Sequence, residues 1–148
     1  MRVHLNRLEA WEALQGREEV LRRAARLALD SADPPVRGEV SVTCLEAREI
    51  ARLNRDYLGR EGPTDVIAFR LDGEDELLGD VYLCPEVAQR AAEEAGEGLL
   101  EEVVRLVIHG VLHVLGHDHP EDEGRWDSPM YRLQERLVRE AAGPGRGS

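Results

Sequence analysis

The run Val103-Val104-Arg105-Leu106-Val107-Ile108-His109-Gly110-Val111-Leu112-His113-Val114-Leu115-Gly116-His117-Asp118-His119 decides how the rest of the chain is read. Its apolar part, Val103 to Leu115, predicts a helix, and four of the five histidines stand at its end. His109 and His113 are spaced i, i+4, so a helix sets both imidazoles on one face, about one turn apart. Gly116 follows the last periodic apolar residue, where a left-handed residue often ends a helix. The chain can turn there and return His119 toward the same point. Three neutral imidazoles converging on one point suit Zn²⁺, with a fourth position open for water or substrate. His109, His113 and His119 are therefore the expected ligands of one zinc ion per chain, although tris-imidazole sites also accept Ni²⁺, Co²⁺ or Mn²⁺. The alternative makes them polar residues of a half-buried helix, each of which would then need a hydrogen-bond partner in an apolar stripe.

The pattern H-x-x-x-H-x-x-G-x-x-H is similar to the metzincin metalloprotease template except at one position. That template places Glu directly after the first His as general base. Here the residue is Gly110, which cannot move a proton. The spacing keeps the metal geometry and lacks the peptidase base.

Outward from this run, the patterning predicts alternating strands and helices. Met1 to Arg7 alternates Val3 and Leu5 with polar residues, as a half-buried strand does. Arg17 to Leu29 carries Val20, Leu21, Ala24, Ala25, Leu27 and Ala28 at helical spacing, and Asp30 to Pro35 reads as a loop. Gly38 to Leu45 reads as a second strand. Glu46 to Tyr57 reads as a helix with Ile50, Leu53 and Tyr57 inward. Leu58 to Pro63 reads as a flexible loop, Thr64 to Arg70 as a short strand, and Leu71 to Glu76 as an acidic hairpin turn. Leu77 to Cys84 is a further strand, and Pro85 suits the first turn of a helix through Ala95. Leu99 to Leu115 is the histidine-bearing helix, followed by an acidic connection, Pro120 to Gly124. A last helix starts near Trp126 or Ser128 and ends at Ala142, with Met130, Leu133, Leu137 and Val138 inward. Its spacing favours core packing for Met130 over a metzincin-type Met-turn. The expected fold is α+β, a mixed four-stranded sheet with about five helices and the metal helix packed on it. Residues 1–142 form one domain in this reading, and 143–148 a disordered tail.

With 148 residues, 42% hydrophobic and 33% charged, the chain is long enough for one buried core. No apolar run approaches the length of a membrane span, and Met1 to Arg7 has no apolar signal core. Cys44 and Cys84 each fall in an apolar run and read as buried free thiols of a cytosolic protein. All 19 basic residues are Arg. The net charge of −11 argues against indiscriminate nucleic-acid binding, but residues 71–102 alone carry −10 of it. An RNA would have to approach another face, or through the metal and a local Arg cluster.

The segment His109-Gly110-x-Leu112-His113-x-x-Gly116-x-Asp118-His119 resembles the signature of the bacterial YbeY family, metal-dependent endoribonucleases and rRNA maturation factors. Leu53-Asn54-Arg55-Asp56-Tyr57 and Pro63-Thr64-Asp65-Val66-Ile67-Ala68-Phe69 are similar to its "LNxxY…PTDVLSF" block, and Leu78-Gly79-Asp80-Val81-Tyr82-Leu83-Cys84 to its "LGDIxIC" strand. Order and spacing fit nearly the whole chain. The resemblance implies the same α+β fold. It also implies a cytoplasmic, zinc-dependent single-strand endoribonuclease acting in maturation of the 3′ end of small-subunit rRNA and in ribosome quality control. The implied partners are the small ribosomal subunit and a ribosome-associated GTPase. The family has a functional Arg in the loop "YRGKD", directly after the Tyr that aligns with Tyr57; here that position is Leu58, and Arg60 aligns with the family's Lys.

A tris-imidazole metal can polarise a phosphoryl oxygen and lower the pKa of bound water. Cleavage between nucleotides also needs a cation for the phosphate charge, usually Arg or Lys. Arg60 is the candidate, with Arg55 as a second route and a solvated loop position as the alternative for each. His117 is a candidate general acid or base near neutral pH, or else an exposed turn residue. Asp118 is a candidate for orienting a ligand imidazole, or else forms a turn that aims His119. Asp65 and Asp80 are expected to make structural loop hydrogen bonds. Two rival functions stand beside the nuclease: a ribosome-assembly factor with structural zinc, and, against the missing Glu, a metalloprotease.

Overall fold

The structure, a computed structural model, describes residues 2–72, 76–118 and 127–142. Its elements in chain order are β1 (Arg2–Asn6), α1 (Glu18–Asp30), β2 (Gly38–Cys44), α2 (Ala47–Leu58), β3 (Val66–Asp72), β4 (Leu77–Leu83), α3 (Pro85–Ala95), α4 (Leu99–Val114) and α5 (Pro129–Ala142). The four strands form one mixed sheet in the order β1-β2-β4-β3. β1, β2 and β4 run parallel, and β3 is an antiparallel edge strand beside β4. The expected α+β fold is therefore the observed one. Residues 73–75 of the acidic turn expected at Leu71 to Glu76, the acidic connection Pro120 to Gly124, Trp126 and the expected tail at 143–148 lie outside the described residues, as does His119 itself, while Leu71 and Asp72 extend β3 beyond its expected end at Arg70.

Period-two alternation sets which sheet face each side chain takes. In β2, Val40, Val42 and Cys44 are buried on the face that carries most of the core. In β4, Leu77, Gly79, Val81 and Leu83 face the same way. A smaller cluster, Leu45, Ile50, Ile67 and Cys84, lies under α2. The helix α4 crosses the sheet and also packs on α1, α3 and α5, which is why it is apolar nearly all round.

Two glycines set how closely α4 lies on the sheet. A Cβ at Gly110 of α4 would stand 2.6 Å from Val81 Cγ1 of β4. Reciprocally, a Cβ at Gly79 of β4 would stand 2.5 Å from Val114 Cγ1 of α4. Gly110 and Val114 are i, i+4 on the helix, and Gly79 and Val81 are i, i+2 on the strand, so each glycine seats the other element's valine.

Caps mark most helix ends. In α2, Glu46 and Glu49 form a capping box, with the Glu46 amide donating to Glu49 Oε1 at 3.0 Å. Ser128 caps α5 by accepting from the Tyr131 amide at 3.2 Å, with Pro129 at the first helical position. Of the two expected starts for this helix, Ser128 is thus its cap, and Met130 is buried in the core.

The stretch between β1 and Gly16, which the patterning leaves unassigned, holds two 3₁₀ turns, Leu8–Ala10 and Glu12–Leu14, that send Leu8 and Leu14 into the core. Single turns are too short for periodicity to reveal. Two expectations are corrected. Tyr57 is not inward but 68% exposed, one turn past Leu53, with its ring edge-on to Phe69 of the edge strand at 5.5 Å. Asp80 lies not in a loop but within β4, opposite Phe69, where it faces Tyr82.

Candidate functional site

His109 and His113 each precede, by one residue, the stripe of α4 that meets β4. A one-residue step turns about 100° around a helix, so the imidazoles point beside the sheet contact and toward the edge strand. Their Nε2 atoms stand 3.1 Å apart, with ring centroids 4.6 Å apart and planes at 73°. The two rings form part of the wall of a cleft of about 390 Å³. Val66, Ile67 and Ala68 of β3 line the opposite side.

Two loops complete the cleft. At the end of α4, Gly116 adopts φ 101°, the Gly116 amide donates to the His113 carbonyl at 2.9 Å, and the His117 amide donates to the Leu112 carbonyl at 3.0 Å. These two bonds are the paired closure of a Schellman turn, as Gly116 led one to expect. The turn brings Asp118 to the cleft; His117 is not among the described residues that line it.

The second loop follows α2. Gly59 takes a left-handed φ of 65° and closes the helix. Buried Asn54 then donates through Nδ2 to the Gly62 carbonyl at 2.9 Å and accepts the Arg60 amide on its own carbonyl at 3.2 Å. The loop expected to be flexible is thus tied at both ends to one side chain and its backbone. It sets Leu58 and Arg60 on the cleft wall. Asp65 lines the cleft as well, its carbonyl held by the Cys84 amide at 2.9 Å.

Of the residues expected at the site, the structure brings His109, His113, Arg60 and Asp118 together and leaves His117 aside. Three others are new to the site: Asp65, Asn54 and Gln134. Gln134 of α5 is buried, and its Oε1 lies 2.6 Å from His109 Nδ1. One signal for it was present. Met130, Gln134, Leu137 or Val138, and Ala141 form the inward stripe of α5, and Gln134 is the one amide on it.

Behind Gln134 lies a charged cluster. Arg105 donates to both oxygens of Glu135 and, at 2.8 Å, to Glu97, with Glu102 3.9 Å away. Burial works against the guanidinium charge, but the hydrogen bonds with Glu135 and Glu97 hold the Arg105 pKa above its ordinary value. Burial also pushes the Glu102 carboxyl above the usual range, against the pull of Arg105.

Fold and site together define an α+β protein with paired imidazoles of its central helix facing an Arg- and Asp-lined cleft. The family model described as "Endoribonuclease YbeY" matches residues 7–142. Relatives named endoribonuclease YbeY include one from Salinispora tropica, 40% identical over 129 residues, covering 77% of this chain and 81% of the relative. Another from Parafrankia sp. is 40% identical over 144 residues, covering 86% of this chain and 89% of the relative. The solution structure of TM1509 from Thermotoga maritima matches with a TM-score of 0.62 at 29% identity, over 97% of this chain and 90% of that one. The chain belongs to the endoribonuclease YbeY family.

Proposed function

We propose that this chain is a metal-dependent endoribonuclease that cuts single-stranded RNA, with His109, His113 and His119 holding one Zn²⁺. The observation that carries the reading is the approach of the two Nε2 atoms to 3.1 Å on a cleft wall. Two imidazoles on one tetrahedral zinc at about 2.05 Å would have nitrogens about 3.3 Å apart, so the spacing found fits a shared ion. Zinc held there would polarise a phosphoryl oxygen and make bound water more acidic.

The remaining chemistry falls to side chains of the chain itself. Arg60 offers the guanidinium that balances phosphate charge, in place of the absent cation at Leu58. The carboxylates of Asp65 and Asp118 line the same cleft and can accept a proton from water. Gly110 explains why peptidase chemistry is the poorer reading. A Glu there would project from the face seated on Val81, not toward the imidazoles.

Exposed Leu58 favours the second reading, a ribosome-assembly factor in which zinc is structural. A tris-His set with an open position favours catalysis over it, since structural zinc is normally closed by four protein ligands. Within the nuclease reading, the substrate is the 3′ end of small-subunit rRNA in the cytoplasm. The small ribosomal subunit and a ribosome-associated GTPase are the partners, and ribosome quality control is part of the role.

The test is cleavage of a structured rRNA fragment with a single-stranded 3′ extension by wild type and His109→Ala, with metal measured on both. Cleavage by the metal-loaded wild type alone is expected. A metal-loaded wild type that cuts no better than His109→Ala refutes the nuclease and leaves the assembly factor.

A further inference from the structure

The hydrogen bonds around Gln134 have only one consistent polarity, and it starts at Arg105. A guanidinium has donors and no acceptor, so the Glu135 carboxylate accepts from it. Glu135 Oε2 also lies 3.0 Å from Gln134 Nε2, and a carboxylate can only accept, so the NH₂ end of the amide faces Glu135. Amide orientation is set by such a network. The carbonyl end, Oε1, is then left facing His109 Nδ1 at 2.6 Å. A carbonyl oxygen accepts, so Nδ1 must carry the proton. In a neutral imidazole Nε2 is then the bare nitrogen. That is the atom 3.1 Å from His113 Nε2 on the cleft wall.

We propose that Gln134 is a positioning residue that fixes His109 as the Nδ1–H tautomer and aims its Nε2 lone pair into the cleft, with Arg105 and Glu135 fixing the amide in turn. In its bearing on zinc the inference rests on the metal reading above; the tautomer itself does not. The arrangement spans two helices: Arg105 lies one turn before His109 on α4, and Gln134 and Glu135 lie on α5. Docking of α5 therefore orients the imidazole. Gln134 is 6% exposed, so water does not readily replace the lost acceptor.

The experiment pairs two measurements on wild type, Gln134→Met and Glu135→Gln. Met keeps the length and burial of Gln but removes the acceptor. Gln at 135 lets the Gln134 amide turn over. Thermal unfolding with a chelator present selects variants that are folded. The first measurement is the long-range ¹H–¹⁵N NMR pattern of the histidines in metal-free protein at about pH 8, above the ordinary imidazole pKa. His109 is expected as the Nδ1–H tautomer in wild type, with that preference lost in Gln134→Met and weakened in Glu135→Gln. A wild-type His109 protonated on Nε2, or an unchanged tautomer in folded Gln134→Met, overturns the proposal.

The second is Co²⁺ titration followed by its visible absorption. Gln134→Met should weaken binding roughly 10- to 100-fold, the usual loss when a ligand's hydrogen-bond partner is removed. Wild-type affinity in that variant overturns the role toward metal. Failure of wild type to bind Co²⁺, with the tautomer as expected, refutes the metal reading and that role while leaving the tautomer assignment standing.

Discussion

Gly110→Ala tests whether the contact between α4 and β4 sets the site. An added Cβ would lie 2.6 Å from Val81 Cγ1 and 3.1 Å from Val81 Cγ2. Carbon atoms in good contact sit about 3.5–4.0 Å apart, so the nearer pair falls short by about 1 Å. Overpacking of this kind costs about 1–3 kcal/mol. Against it stands the gain of about 1 kcal/mol for Ala over Gly inside a helix. The net expectation is destabilisation by about 0–2 kcal/mol, from these two opposed terms. Val81→Ala alone removes two methyl groups at about 0.8 kcal/mol each and leaves a cavity, for a loss of about 2–3 kcal/mol. In the double variant the new methyl enters the space Val81 vacated, so the clash is gone and the helix gain remains. Gly110→Ala should then turn from destabilising to stabilising. The assay is urea unfolding of the four proteins, read as a double-mutant cycle. Effects that add to within about 0.5 kcal/mol would refute the reasoning, because residues in contact should couple more strongly than that.

Other predictions follow from the same geometry. His113→Ala should lose stoichiometric metal on purification, and full metal content in that variant would remove it from the ligand set. Arg60→Ala should slow RNA cleavage with metal content unchanged; unaltered cleavage would return Arg60 to a solvated loop role. Burial pushes the Cys44 thiol up from its ordinary value of 9.0 to about 12. Its contribution to stability is therefore complete below about pH 9 and is lost as the pH rises toward about 12, because only the unfolded thiol ionises in that window. The loss should steepen alkaline unfolding by at most about 1.4 kcal/mol per pH unit, and Cys44→Ala should flatten it. An unchanged alkaline slope in that variant would show that the thiol is not what titrates.

The parts of this molecule legible in the sequence are those encoded by local spacing. The alternation of Val40, Val42 and Cys44 in residues 38–45 specified a strand. The i, i+4 histidines specified a shared helix face, and Gly116 specified the turn after it, all without reference to any other element. What was not legible depends on what a residue meets from elsewhere in the chain. Tyr57 has helical spacing with Ile50 and Leu53, but whether it is inward depends on how far α2 extends over the sheet. Leu8 and Leu14 belong to turns too short to show a period. Gly110 looked like a missing catalytic Glu. Its cause is steric and lies on β4, where Val81 occupies the space a side chain would need. Gln134 falls on the inward stripe of α5, but only the packing of α5 on α4 gives it His109 as a partner.

These two residues bear on the same imidazole from different sides, and this suggests why the site lies on α4. The glycine contact fixes the depth of the helix against the sheet, and so the distance of His109 from the edge strand. The Arg105–Glu135–Gln134 chain fixes which ring nitrogen faces the cleft. Neither element touches the cleft chemistry with a reactive group. Gly110→Ala and Gln134→Met should accordingly impair metal binding by separable routes, the first by displacing the ring and the second by changing its protonated nitrogen. The NMR pattern of His109 distinguishes them: Gly110→Ala should keep the Nδ1–H tautomer, and Gln134→Met should lose it. Loss of that tautomer in both would mean that the position of α4 alone governs the imidazole and that Gln134 merely fills space.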